Sequence, residues 1–520
     1  MDSIQHLVNN NYGLLKCFIK NSETSVYQKS NLSLGFRYLE RKIRNEGPLQ
    51  VIDIHQHFPQ IESLLVKPNM KGKSSYFLDE DLEKIKALQL DFILRFGFGI
   101  IKGDILKAPK YGIWSFHHGD PKKYRGGPPG FWEVLKGDSV NGVILQQLTE
   151  KLDGGLLLKE GSFKTISHSY SNNLYQLLEG SKIWPSQVVQ SILLDSAQEL
   201  RSRQIETSAP IYKPPSSLIV LKLLLLEFQN TIRFHYNALF KAEKWNIGTI
   251  NTSIESLLEN DITEINWWKE APSHSYFADP FVDPENKEKV LVELYDYKKQ
   301  KGKIAAISKD AKNTEVLELE SHLSYPFTFK YNGKNYLLPE NFEAQEVKLY
   351  EVSNGKTIHP TTLLKGKWVD PSLIYENGYW WLFCTEKEKA NENLFLFYAE
   401  TLDKTFTPHP LNPVLTDIKS ARPAGKPFQK GDDWYRLGQN CSNTYGGSIQ
   451  IKKIEKISIT EYQESFVKEI HPLNTSKYNK GLHTLSPFGE QTLVDGKRFY
   501  FNLYNFKTQL QIKLKRLLKK

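Results

Sequence analysis

Residues 112–155 read GIWSFHHGDPKKYRGGPPGFWEVLKGDSVNGVILQQLTEKLDGG. An apolar run, Asp91 to Ile100, precedes them. A polar cluster with adjacent histidines, His117 and His118, follows the apolar residues that open the stretch. Then come a Tyr-Arg-Gly-Gly-Pro-Pro turn (Tyr124 to Pro129), helical spacing at Phe131, Trp132 and Leu135, a further apolar run, and Asp153 in Leu-Asp-Gly-Gly. A strand-loop-helix-strand order of this kind brings a loop histidine and a distant aspartate together at the strand ends of an open α/β sheet, where such sheets hold ligands.

Outward from that stretch, the first 165 residues alternate helical and strand patterns, as an α/β domain does. Ile4 to Phe18 and Leu32 to Ile43 read as helices, Leu49 to Ile54 as a strand. Asp79 to Leu88 reads as a helix with Asp79 able to cap it, and Asp91 to Phe96 as the next strand. Leu174 to Leu200 is helical in pattern. Gln204 to Ser217 holds Pro210, Pro214 and Pro215 and reads as a linker. Leu218 to Ala242 then reads as a long apolar helix packed between domains. Its greasiest part, Leu218 to Phe228, contains Lys222 and Glu227 and is too short to span a bilayer.

From Trp245 the chain changes character. A small polar cluster with proline, an apolar pair, a turn and an aromatic strand recur from Phe277, Ser324, Val369, Ala421 and Leu485, marked by prolines 280, 326, 371, 427 and 487. The spacing suits one four-stranded blade per copy and so an all-β five-bladed propeller. Asn332-Gly333, Asn377-Gly378 and Asp495-Gly496 read as hairpin turns, and Trp245 to Ile250 as the strand that closes the ring with the last copy. The expected domains are therefore 1–203 (α/β with a helical extension), 204–244 (linker and apolar helix), 245–507 (propeller) and 508–520 (closing strand and basic tail).

A chain of 520 residues suggests two or three domains, and 40% hydrophobic with 24% charged residues is globular. The net charge of +9 comes from scattered lysines, so no nucleic-acid partner is implied. Three distant cysteines, Cys17, Cys384 and Cys441, make neither a disulfide framework nor a zinc site. With no signal peptide at the start, the expected location is cytoplasmic. The pair His55 and His57 has no acidic or cysteine partner nearby and reads as a loop, so no metal is expected. The tail, TQLQIKLKRLLKK, reads as a final strand with a solvated basic end; contact with an anionic membrane surface is the alternative.

The stretch from Phe77 to Phe163 resembles the N10-formyltetrahydrofolate-dependent formyltransferases. Their pattern is Asn-x-His, a short loop, Tyr-Arg-Gly, a Trp-containing helix, a Gly-x-x-x-x-Gly turn and Leu-Asp-x-Gly. His117, Tyr124-Arg125-Gly126, Trp132, Gly137 with Gly142, and Asp153 fall on it in order. The sequence departs from it at Ser115, where the family has asparagine, and at His118, where proline is usual. The family also opens with a strand and a glycine-rich turn, whereas Met1 here leads into a helix-like run. The Rossmann-like domain is thus expected to lack its first strand, or to have it upstream of a mis-set start.

The resemblance implies N10-formyltetrahydrofolate as formyl donor, held by Phe98, Gly99 and Ile100 together with Tyr124, Arg125 and Gly126. Formyl transfer needs a base near neutrality and a donor to the oxyanion. His117 suits both by type, Asp153 could orient it, and Ser115 or His118 would stand in for the family amide. The propeller repeat resembles the glycosidases that act on arabinans, xylans and fructans, and more closely the start of plant glucosaminyl inositolphosphorylceramide transferases. That likeness implies Asp279 and Asp370 as base or nucleophile and Glu340 or Glu386 as acid, if it hydrolysed sugars. An Asp-Pro pair is equally a turn without chemistry. The expected acceptor is an amino sugar or sugar nucleotide. The competing expectation is a glycan-binding or glycan-processing propeller protein with an inactive formyltransferase domain.

Overall fold

The computed structural model describes residues 17–21, 33–46, 53–152, 154–194, 203–501 and 506. The chain forms two compact units, Met1–Arg233 and Phe234–Lys520. None of the described helices is long and apolar enough to cross a membrane.

In the first unit, strand β1 (Cys17–Asn21) pairs in parallel with β2 (Glu62–Val66) over five residues. The expected helix through Phe18 is thus corrected at Cys17 and Phe18, and a strand does precede helix α1 (Leu34–Glu46). The rest of Ile4 to Phe18 lies outside the described residues, as does most of Leu49 to Ile54. Helix α2 (Asp79–Ala87) begins one residue after its cap, which is Leu78. Asp79 instead joins Glu80 and Asp81 in the first turn, where negative charge meets the positive end of the helix dipole. His57 ends a single helical turn, Ile54–His57, rather than lying in a loop.

The main sheet runs β6–β5–β4–β3, where β3 is Ile93–Arg95, β4 Ile113–His117, β5 Val140–Gln147 and β6 Leu156–Lys164. β3 and β4 are parallel, and the other two pairs antiparallel. Side chains alternate along β4. Trp114 and Phe116 pack toward Leu177 of helix α4 (Tyr170–Ser181) and Trp184 of α5 (Trp184–Leu193). Ile113 packs the other way, with Val66, Leu82 and Ile85. Between β4 and β5 lies the short helix α3 (Phe131–Lys136), which joins α1, α4 and the long helix α6 (Ser217–Phe240) in one core around Phe131, Leu174 and Leu223.

The expected linker is held against the first unit. Ile211–Tyr212 pairs in parallel with Arg125–Gly126, Gln204 bridges Leu156, and the Thr207 hydroxyl donates to the Pro121 carbonyl. Proline lacks an N–H but keeps its carbonyl. The Pro210 oxygen accepts from the Arg125 N–H and the Pro215 oxygen from the Ser33 hydroxyl. The extended backbone that proline imposes serves an edge strand as well as a linker. Helix α6 buries Val220 and Leu223, while Leu218, Leu221, Leu225, Phe228 and Ile232 remain exposed, so it is less covered than its composition implies.

Among the described residues, the second unit holds five antiparallel sheets. Three start with the same device. At Asp279-Pro280, Tyr325-Pro326 and Asp370-Pro371 the residue before proline has φ of 52°, 47° and 51°, and the strand register shifts at each. A bulge of this kind bends the strand and re-aims one side chain. Asn332-Gly333 and Asn377-Gly378 turn with positive φ at both residues, as tight hairpins require. Asp495-Gly496 does not turn: both lie inside strand β8 (Gln491–Phe501), and Gly489 makes the turn instead. β8 pairs along ten residues with β7 (Lys241–Ile250), so the two ends of the unit share one sheet. The strand therefore begins four residues before the expected Trp245. The tail 508–520 lies outside the described residues.

Candidate functional site

By strand alternation, Ser115 and His117 share the face of β4 that Ile113 occupies, at the C-terminal end of the strand. Opposite Ser115 in the parallel register is Arg95, the last residue of β3. Its Nη1 donates to Ser115 Oγ at 2.8 Å, and its Nη2 donates to the Gly99 carbonyl. Ser115 is buried, and its other side-chain hydrogen bond among the described residues is a long one, 3.4 Å, to the Phe116 carbonyl.

The half-buried His117 places Nε2 at 2.9 Å from the Tyr124 carbonyl oxygen. A carbonyl only accepts, so Nε2 carries the proton, and the neutral ring keeps its lone pair on Nδ1. A side chain at Gly119 would press on this ring, with a Cβ 3.1 Å from Nε2. Sequence reasoning assigned the orienting role to Asp153, which lies outside the described residues. The main-chain oxygen of Tyr124 has no sequence signal of its own.

His118 points to the opposite face. Its ring stacks on Phe116 at 5.4 Å, and Nε2 lies 3.3 Å from Ser181 Oγ. Burial, with His117 adding to it, pushes its pKa down to about 4, so it stays neutral. The expectation that His118 supplies a donor beside His117 is corrected by this alternation. Nearby Glu133 is buried, and Oε1 finds no hydrogen-bond partner among the described residues. Burial raises its pKa to about 7.

Phe98, Gly99 and Ile100 follow Arg95 closely. Phe98 stacks on Phe77 at 5.8 Å, and Ile100 opens a short strand beside Ser74. Gly97 and Gly99 have φ of 81° and 61°, and a Cβ on either would meet nothing within 4 Å. The loop therefore bends where only glycine is unstrained and leaves open space before it. Tyr124, Arg125 and Gly126 are engaged otherwise. The Tyr124 hydroxyl donates to Asp138 at 2.7 Å, Arg125 Nη1 donates to the Ala209 carbonyl at 3.3 Å, and Gly126 pairs with Tyr212. They build the turn and hold the 203–212 segment, a contact the sequence did not foretell.

In the second unit, three of the four acids meet in one buried network. Asp279 accepts from the Thr484 hydroxyl at 2.8 Å and lies 3.6 Å from His483 Nε2. His483 Nδ1 lies 2.5 Å from Asp495. Burial raises the Asp279 pKa to about 6. Asp370 is bound by Arg422 at 2.5 Å and by Gln439 at 3.1 Å. Burial opposes its ionisation most strongly, but Arg422, Glu340 and His483 together outweigh it and lower its pKa. Glu340 accepts the Asp370 N–H at 3.1 Å, and burial, with Asp370 beside it, pushes its pKa well up. Glu386 stands apart, exposed at the end of its strand. Sequence reading missed His483, and it missed Asp495 because Asp-Gly looked like a turn. The ligand-type atoms of Asp279, His483 and Asp495 lie within 4.8 Å of one another, but the three already satisfy each other by ion pairing and hydrogen bonds.

Residues 35–184 match the family described as formyl transferase, and residues 241–488 the one described as glucosamine inositolphosphorylceramide transferase 1, N-terminal. Glucosamine inositolphosphorylceramide transferase 1 of Arabidopsis thaliana is 34% identical over 151 residues, 28% of this chain and 20% of that protein. Bifunctional polymyxin resistance protein ArnA of Wigglesworthia glossinidia brevipalpis is 30% identical over 28% of this chain and 22% of its own. Methionyl-tRNA formyltransferase of Mycoplasmopsis pulmonis is 30% identical over 33% of this chain and 61% of its own. The chain thus spans about a fifth of the first two relatives. Among solved structures, an exo-β-1,3-galactanase from Clostridium thermocellum aligns with 41% of this chain and 58% of its own, at 17% identity and a TM-score of 0.32. The chain joins a formyltransferase domain to a mostly-β domain similar to the N-terminal domain of glucosamine inositolphosphorylceramide transferase 1.

Proposed function

We propose that the first unit moves a formyl group from N10-formyltetrahydrofolate to the amine of an amino sugar or sugar nucleotide. The observation that carries this is His117: its Nε2 proton is tied to the Tyr124 carbonyl, so Nδ1 is the base, at the C-terminal edge of the sheet. The glycine loop at 97–99 leaves room for a flat donor beside that edge. Asp153 belongs to the proposed site through its position in the Leu-Asp-Gly-Gly motif. The cytoplasm is the compartment we assign, from the sequence and not from the fold.

We further propose that the five sheets stand as blades around a common centre, a five-bladed propeller that binds or positions the glycan part of the acceptor. Support comes from the buried network, to which all five sheets or their entry segments contribute: Asp279, Tyr325, Asp370, Arg422 and His483. Hydrolysis is not part of the proposal. Glycosidase carboxylates must face a sugar, whereas Asp370 is held by Arg422 and Gln439, and Asp279 by Thr484 beside His483.

Incubation of the purified protein with N10-formyltetrahydrofolate and a panel of amino sugars and nucleotide-linked amino sugars, read by mass, tests the function. A formylated product is expected. Glycan binding without any formyl product would favour a binding protein whose first unit is inactive.

A further inference from the structure

We propose that Arg95, oriented by Ser115, is the donor that stabilises the oxyanion of the transfer; this rests on the formyl-transfer reading above. The amine lone pair forms the new bond to the formyl carbon, and the C=O π pair moves onto oxygen. His117 Nδ1 takes a proton from the amine nitrogen. The oxygen pair then re-forms C=O, the bond to N10 breaks, and the proton passes from His117 to the departing folate nitrogen. Negative charge peaks on the formyl oxygen, and a donor aimed there is a major catalytic term.

Ser115 is a poor donor for that charge. Its hydroxyl oxygen accepts from Arg95, and its single proton is turned toward the Phe116 carbonyl. The guanidinium that binds it is a better one. It is permanently charged, carries its N–H groups in a planar fork, and makes hydrogen bonds to anionic oxygen roughly twice as strong as neutral ones. Three observations place it. Arg95 is the register partner of Ser115 in adjacent parallel strands. Ser115 and His117 lie two residues apart on one face, a Cα separation of about 6.6 Å, so the guanidinium that binds Ser115 and the imidazole belong to the same face at the C-terminal end of the strand. Arg95 also donates to the Gly99 carbonyl, which fixes it to the open glycine loop. Ser115 thus acts as a positioning residue, and Arg95 as the catalytic one.

The test measures single-turnover formyl transfer to an amino sugar and equilibrium binding of tetrahydrofolate, which carries no formyl group. Wild type, Arg95→Ala, Arg95→Lys and Ser115→Ala are compared, each checked for folding by thermal unfolding. Arg95→Ala should lose about 10²–10³-fold in rate with folate affinity changed less than about threefold, and added guanidinium ion should restore part of the rate. Arg95→Lys keeps the charge without the fork and should fall between; it discriminates in the same way should the alanine variant not fold. Wild-type turnover in both Arg95 variants overturns the proposal and leaves formyl transfer standing. Parallel loss of rate and folate affinity, without guanidinium rescue, also overturns it, making Arg95 a structural brace of the loop. A wild type that neither binds folate nor transfers formyl removes the formyl-transfer reading and this proposal together.

Discussion

His117 gives its Nε2 proton to the Tyr124 main chain, and its chemistry follows from that one bond. Replacing it by alanine should lower formyl transfer by about 10²–10⁴-fold and leave the thermal midpoint close to wild type, because the ring is only half-buried. A second residue reports on pH. Glu133 has its pKa raised to about 7 from an ordinary 4.5. Between those values the folded protein holds a proton the unfolded chain has released, so stability falls as pH rises through that window. A shift of this size corresponds to about 3 kcal/mol. Glu133→Gln should therefore be more stable relative to wild type at pH 8 than at pH 5, by up to that amount, in urea unfolding. His118, with its pKa near 4, has the opposite slope but is common to both proteins, so its effect cancels. At this scale His117 and the oddity of Ser115 were legible in the sequence, because motif spacing carries them. Arg95 was not, since it closes a three-residue strand and reads as one polar residue within an apolar run. The Tyr124 carbonyl could not be, because main-chain acceptors leave no trace in residue types.

The segment 203–216 shows how one composition serves two structures. Its prolines suit a free linker and an edge strand equally, and only the partner strand Arg125–Gly126 decides between them. Gly126 makes that pairing: its φ is 84°, and a Cβ there would lie 2.2 Å from the Tyr212 carbonyl oxygen. Gly126→Ala should detach the segment, at a cost of about 1–3 kcal/mol from backbone strain and the lost pairing. Proteolysis should then cut between residues 203 and 216 in the variant, while the same stretch resists cutting in the wild type. Equal resistance in both would show that the pairing does not hold the segment. Helices α1 and α2 and strand β3 were readable from periodicity, whereas Leu174 to Leu200, read as one helical stretch, divides into α4 and α5. The β1 strand at Cys17–Asn21 was misread because its apolar residues also fit a helix face, and pairing with β2 resolved it.

Across the whole molecule, the repeat in the second half was legible because turns and prolines recur. Its physical content, a left-handed residue and a bulge before proline, was not, since backbone angles are not written in composition. Strands β7 and β8 join the beginning of the second unit to its end. A chain ending at residue 490 removes the partner of all ten β7 residues and should abolish the cooperative unfolding of residues 234–490, with the transition of the first unit retained. A retained second transition in calorimetry would show that the shared sheet is dispensable. The most direct test is mass detection of product from N10-formyltetrahydrofolate and an amino-sugar panel, run with wild type and His117→Ala. The account predicts a product heavier by one formyl group with wild type and about 10²-fold less or lower with His117→Ala. No formylated sugar with wild type, or equal amounts with both proteins, would contradict it.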